Sequence, residues 1–208
     1  MKIINSYYEI MDNINEEDFL RKIDICGRVC YKSERTFDKT KARDFVHGLI
    51  EHGHESVLEH CSFSVKFVTD RGVSHELVRH RIASYSQEST RYCNYAKDKF
   101  NNEITVIQPI TLTEECGIKA WLMGVGQAEM AYFKMLECGQ PPEIARSLLP
   151  TCVKTEIICT MNIREWRHFL KLRSSKAAHP EIRELARGLL TRLKIILPIF
   201  FMDIEIED

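Results

Sequence analysis

The sequence predicts a single α+β domain spanning residues 1–208, with helices arranged around a small mixed or antiparallel sheet. Three observations lead there. Segments with helical spacing outnumber those that alternate with period two. The alternating segments are too few and too interrupted for a doubly wound sheet. Finally, 208 residues with 44% hydrophobic content supply a core of ordinary size without disulfide or metal staples.

The elements follow in chain order. Residues 16–31 place Phe19, Leu20, Ile23, Cys26, Val29 and Cys30 at helical spacing, and residues 40–52 do the same with Phe45, Val46, Leu49 and Ile50 before Gly53 ends them. Residues 61–69 alternate with period two, which puts Phe63, Val65 and Phe67 on one face of a half-buried strand. Asp70-Arg71-Gly72 then turns the chain. Val73, Leu77 and Val78 give a short helix whose last turn brings in Arg79-His80-Arg81, and a long polar loop and further strands are expected after it. Residues 113–138 form a long helix with an uneven apolar face, stopped by Gly139 and Pro141-Pro142, and residues 143–149 add a short turn before Pro150. Residues 153–161 alternate around Ile157, Cys159 and Met161 as another strand. Asn162, an N-cap residue with Glu165 three positions on, starts a helix that carries Arg164, His168 and Arg173. The last helix, 181–197, stops at Pro198.

Composition narrows the function classes. The 29 basic and 30 acidic residues leave a formal charge of −1, which argues against a nucleic-acid coat or a membrane-surface protein and makes any electrostatic specialisation local. The eight cysteines are scattered without a C-x-x-C pair and mostly fall in apolar segments, as expected for buried thiols in a reducing compartment. Met-Lys-Ile-Ile-Asn at the start shows no apolar core with a cleavage site, and no run approaches bilayer length. A cytoplasmic location is expected, with no membrane and no nucleic-acid partner.

Three constellations carry chemistry. Residues 79–92 read Arg-His-Arg-Ile-Ala-Ser-Tyr-Ser-Gln-Glu-Ser-Thr-Arg-Tyr, in which Arg79, Arg81 and Arg91 offer bidentate forks for phosphate and Ser84, Ser86 and Ser89 add hydroxyl donors. The bland reading of this run is a solvated basic loop. The segment His52-Gly-His54-Glu55-Ser56-Val-Leu-Glu59-His60 is rich in metal-ligand types, but Gly53 breaks the helix face and no spacing reproduces H-E-x-x-H, so local capping and hydrogen bonding are the expectation. The third is Arg146 together with Asn162-x-Arg164-x-x-x-His168-x-x-x-x-Arg173. Positions 164 and 168 lie one helical turn apart and point the same way, for ligand binding or for surface ion pairing with Glu165.

These residues resemble the flavin-dependent thymidylate synthases. Arg79-His80-Arg81, seven residues, then Ser89 is similar to that family's signature. The histidine segment 52–60, Glu143-Ile-Ala-Arg146-x-x-Leu-Pro150, and Asn162-x-Arg164 leading to Leu172-Arg173 extend the likeness over nearly the whole chain, in order. The Pro-Cys nucleophile dipeptide of the classical thymidylate synthase is absent from the sequence. Departures exist too: many members carry Asn-Glu where this chain has Ser86-Gln87, and some carry a histidine where it has Ala177.

The resemblance implies the family's fold and the reductive methylation of dUMP to dTMP, with 5,10-methylenetetrahydrofolate as carbon donor and NADPH-reduced FAD as hydride donor. It implies that FAD lies against Ser56, Arg79, His80, Arg81, Gln87, Asn162, Arg164 and His168, with His54 near the flavin ring. The dUMP phosphate would take Arg91, Ser89 and Arg79 or Arg146, the uracil side would take Glu76 and Gln87, and Arg173 would be the activating, catalytic arginine. Ser89 is assigned to binding, since no general base stands at a recognisable spacing from it. A homotetramer with active sites shared among subunits is implied as well, and no metal. The apolar surfaces of helices 113–138 and 181–197 are candidates for its interfaces. Gly124-Val-Gly126 falls within the long helix with Glu129 in the third glycine's place, so no dinucleotide loop is expected. Two readings from other classes stand beside this one: a nucleic-acid module gripping phosphate with 79–91 and stacking on Tyr85, Tyr92 and Tyr95, and a metal-dependent nucleotide hydrolase using His52, His54, His60 and Glu59.

Overall fold

A computed structural model describes residues 1–30, 32–97 and 100–206. The chain folds into two units, each assembled from separate stretches: Met1–Tyr7, Phe67–Arg79 and Ser86–Ile157 in the first, Tyr8–Lys66, His80–Tyr85 and Ile158–Asp208 in the second. Strands β2 (Tyr7–Ile10), β3 (Ser62–Asp70), β4 (Ala83–Gln87) and β6 (Lys154–Asn162) form a four-stranded sheet in the order β2-β3-β6-β4. Period two is visible in its burial, with Thr155, Ile157, Cys159 and Met161 of β6 all turned inward.

In the first unit, β1 (Lys2–Ile4) pairs parallel to β5 (Thr105–Ile107), Ile3 opposite Val106. Helices α3 (Arg71–Leu77), α4 (Glu115–Glu137) and α5 (Pro142–Ala145) complete it, together with a 3-10 turn over Arg146–Leu148. Its core gathers Tyr95, Ile104, Val106, Val125, Tyr132, Ala145 and Val153. The second unit holds α1 (Glu16–Val29), α2 (Lys39–Glu51), a 3-10 turn over Glu55–His60, α6 (Ile163–Arg173), α7 (Pro180–Ile196) and α8 (Pro198–Phe201). Gly27 lets α1 approach α2 closely: a side chain there would meet the Phe45 ring at 2.6 Å. Buried Trp166 stacks on Phe63 at 5.1 Å and donates its indole N–H to the Phe63 carbonyl at 3.1 Å, so one residue fills the core and satisfies its own polar atom.

The helices expected at 16–31, 40–52, 113–138 and 181–197 are present with ends shifted by a residue or a few, residue 31 lying outside the described residues. Gly53 ends α2 as expected, at φ 69°. Other expectations change. Asp70-Arg71-Gly72 is a helix start, the Asp70 carboxylate accepting from Val73 N at 2.7 Å, and not a separate turn. The loop expected after Arg81 contains β4, which ends the sheet order and has no fully buried residue, so it shows no hydrophobic alternation. β1 and β2 are shorter still and likewise have no fully buried residue. Pro198 ends α7 and also starts α8. The cysteines are free but only Cys61 and Cys159 are buried; Cys30 and Cys138 cap helix ends and Cys116 lies in the first turn of α4, all three exposed. Burial pushes the Cys61 thiol up to about 11 and that of Cys159 to about 12, which leaves both protonated and unreactive. Among the described residues no helix is long and apolar enough to cross a membrane.

Candidate functional site

In the second unit, α6 gathers one group of candidate residues. Asn162 starts it by accepting from Glu165 N at 2.9 Å, as the Asn-x-x-Glu spacing predicts. The helix packs on the 3-10 turn 55–60 and on α7, burying Trp166, Phe169 and Leu170. Its opposite side opens into a cavity of about 390 Å³ lined by Asn162, Arg164, His168 and Lys171, with Glu55 and Glu59 across from them. Arg164 reaches Glu59 at 2.6 Å. Arg167 is buried, forks onto Asp203 at 2.7 Å through both terminal nitrogens, and bonds Glu55 at 3.3 Å. That anchor holds the acidic wall in place. The cavity therefore combines exposed cationic and amide donors with carboxylates that balance them.

The same helix ends at Arg173, whose Nε donates to His80 Nε2 at 3.2 Å. On its other side His80 Nδ1 meets the Glu165 carboxylate at 3.0 Å, and both side chains are nearly buried, 3% and 10% exposed. Burial pushes the His80 pKa below the ordinary histidine value; the bond to Glu165 pulls it back, and the Arg173 charge lowers it again. The net effect favours the neutral imidazole. One trio among the described residues, His80, Glu165 and His168, has ligand atoms within 4.8 Å of one another. Both His80 nitrogens are already engaged by Glu165 and Arg173, however, and the neighbouring guanidinium repels a cation.

In the first unit, residues 87–95 form the second group. Gln87 Nε2 donates to Ser74 Oγ at 2.9 Å and to Thr155 Oγ1 at 3.1 Å, which ties the end of β4 to α3 and β6. Glu88 is held by Lys154 at 2.9 Å and by the Tyr95 hydroxyl at 3.3 Å. Tyr95 is buried in the core, so the intervening turn is fixed at both ends. On that turn Ser89 Oγ accepts from Arg91 N at 3.3 Å, Arg91 pairs with Glu143 at 3.1 Å, and Arg146 reaches Thr90 at 3.5 Å. Two exposed guanidinium groups and the half-buried Ser89 hydroxyl thus meet at one turn. Glu76 sits half-buried on α3.

The structure brings together Asn162, Arg164 and His168, then His80 with Arg173, and separately Ser89, Arg91 and Arg146 beside Gln87. Arg79 and Arg81 flank His80 and are exposed, as are His54 and Ser56 on the 55–60 turn or just before it. His52 bonds the Gly48 carbonyl of its own helix at 2.7 Å, the local capping expected of that segment. Sequence reasoning missed Glu165 as a partner of His80: its capping spacing marks a helix start and says nothing of burial. It also missed the Lys154–Glu88–Tyr95 support, which joins residues distant in sequence.

A family described as "Thymidylate synthase complementing protein" matches residues 12–199. The flavin-dependent thymidylate synthase of Geobacter sulfurreducens is 38% identical over 186 residues, covering 86% of this chain and 79% of its own. That of Mycobacterium avium is 34% identical over 204 residues, covering 88% and 79%. Among solved structures, a UMP/dUMP methylase, PolB, from Streptomyces cacaoi bound with 5-Br dUMP superposes with a TM-score of 0.82 at 22% identity, covering 97% of this chain and 96% of that one, which shows a shared fold.

Proposed function

The chain belongs to the flavin-dependent thymidylate synthase family, and from that premise we propose that it performs the reductive methylation of dUMP to dTMP. 5,10-Methylenetetrahydrofolate is the carbon donor and NADPH the reductant of an FAD cofactor. The donor set around the α6 cavity fits the dinucleotide: Arg164 and Lys171 supply charge for a pyrophosphate, while Asn162 and His168 supply neutral donors. Ser56, His54, Arg79, His80, Arg81 and Gln87 complete the proposed flavin contacts. When bound, the flavin supplies the hydride that saturates uracil C6.

The remaining work falls to the chain's own side chains. Arg91, Arg146 and Ser89 hold the phosphate; the solvent-exposed pair between Arg91 and Glu143 is weak in water and yields to a near-dianion. Glu76 and Gln87 take the nucleoside. Arg173 carries negative charge on a uracil carbonyl oxygen, which keeps C5 nucleophilic toward the folate's methylene carbon. Ser89 binds and does not attack. The sites are shared in a homotetramer, a single domain of residues 1–208 per subunit, and the enzyme works in the cytoplasm. A formal charge of −1 speaks against the nucleic-acid reading.

The observation that carries this reading is helix α6, which lines one cavity with Asn162, Arg164 and His168 and ends in Arg173 held on His80. The test is conversion of dUMP to dTMP by FAD-loaded protein, beside Arg173→Ala. We expect the variant to keep its flavin absorbance and lose turnover by about 10²-fold or more. Unchanged turnover would remove the electrostatic role.

A further inference from the structure

We propose that Glu165 is a positioning residue for Arg173, acting through His80: its carboxylate fixes the imidazole as the Nδ1–H tautomer, so that Nε2 presents a lone pair to the guanidinium. This deepens the reading of Arg173 as the charge-bearing arginine and rests on it. A guanidinium has donors and no acceptor, so its 3.2 Å contact with His80 Nε2 requires that nitrogen to be unprotonated. The imidazole proton then lies on Nδ1, 3.0 Å from a Glu165 oxygen that accepts it. The other tautomer would set two N–H groups against each other at Arg173 and turn a lone pair toward a carboxylate. One protonation state therefore satisfies all three side chains.

The surroundings hold the ring in that pose. It stands edge-on to Phe169 at 5.1 Å and to His168 at 5.4 Å, and the Tyr85 hydroxyl donates to the His80 carbonyl at 2.6 Å. Arg173 is the last residue of α6, where backbone bonds are fewest and a side chain needs an outside anchor. Glu165, two turns earlier on the same helix, supplies it through a rigid ring. Burial of His80 keeps the ring neutral, which the lone pair requires.

Two substitutions test the relay. Glu165→Leu removes the acceptor, while Glu165→Gln keeps a neutral oxygen for the Nδ1 proton. Glu165→Leu should lower kcat by about 10–100-fold, as loss of an orienting partner does, with little change in the KM for dUMP, and Glu165→Gln should recover most of that loss. Nitrogen-15 spectra of labelled histidine should show the Nδ1–H tautomer at His80 in the parent and in Glu165→Gln, and a mixture in Glu165→Leu. Equal kcat for the two Glu165 variants, beside an inactive Arg173→Ala, would overturn the relay alone. An Nε2–H tautomer at His80 in the parent would do the same. Full turnover by Arg173→Ala would instead remove the underlying reading, and the proposal with it.

Discussion

Arg91 and Arg173 carry the same charge in different surroundings, and the surroundings assign their work. Arg91 is exposed on a turn, paired with Glu143 and set over the Tyr92 ring, so its guanidinium is available to a phosphate at little cost. Arg91→Ala should therefore raise the KM for dUMP by about 10–100-fold, the loss of one charge-assisted bond, and leave kcat nearly unchanged. Steady-state kinetics decide it; a fall in kcat at constant KM would place Arg91 in the chemical step. His80 adds a pH dependence. Its pKa is lowered by burial, so the unfolded chain takes up the proton first as the pH drops through the ordinary histidine value near ~6.5. The unfolded state then binds more protons, and stability falls with falling pH until the folded form protonates too. Thermal unfolding followed downward from pH ~6.5 should show this slope, and His80→Gln should reduce it. Arg91 stood out in the sequence because its fork fits the phosphate it is proposed to hold, and Arg173 through the family resemblance. Glu165 was not, because its role depends on a histidine 85 residues away.

At the scale of elements, α6 was the most legible part of the chain. Asn162 with Glu165 set its start, and the spacing of Arg164 and His168 placed both on the side that lines the cavity. Asn162 then has two duties, capping the helix and lining the site, and substitution separates them. Asn162→Ala should cost about 1 kcal/mol of stability through the lost cap, whereas Asn162→Ser keeps a capping oxygen and should cost only a few tenths. Both remove the amide, so both should weaken FAD binding in a fluorescence titration. Full FAD affinity in Asn162→Ser would take Asn162 out of the flavin site. Strand β4 was illegible for the opposite reason. Ala-Ser-Tyr-Ser-Gln has no apolar face because it ends the sheet order, and Gln87 anchors to Ser74 and Thr155 through hydrogen bonds that leave no hydrophobic signature.

At the scale of the molecule, the α+β class followed from the helical segments and the two long alternating strands, both of which lie side by side at the centre of the sheet order. The parallel pairing of β1 with β5 did not follow, since strands of three residues carry too few side chains for a period to show. Nor did the division into two units. The chain enters each several times, passing through β3, β4 and β6, and no change in composition marks such a boundary. The division also separates the proposed work, with Ser89, Arg91 and Arg146 in the first unit and the α6 cavity with Arg173 in the second. The decisive measurement of the proposed reaction is tritium release from 5-tritiated dUMP, with methylenetetrahydrofolate and NADPH, run with and without FAD. Release should depend on FAD and be lost in Arg173→Ala. Release that ignores FAD, or none from folded, FAD-loaded protein, would contradict that reaction.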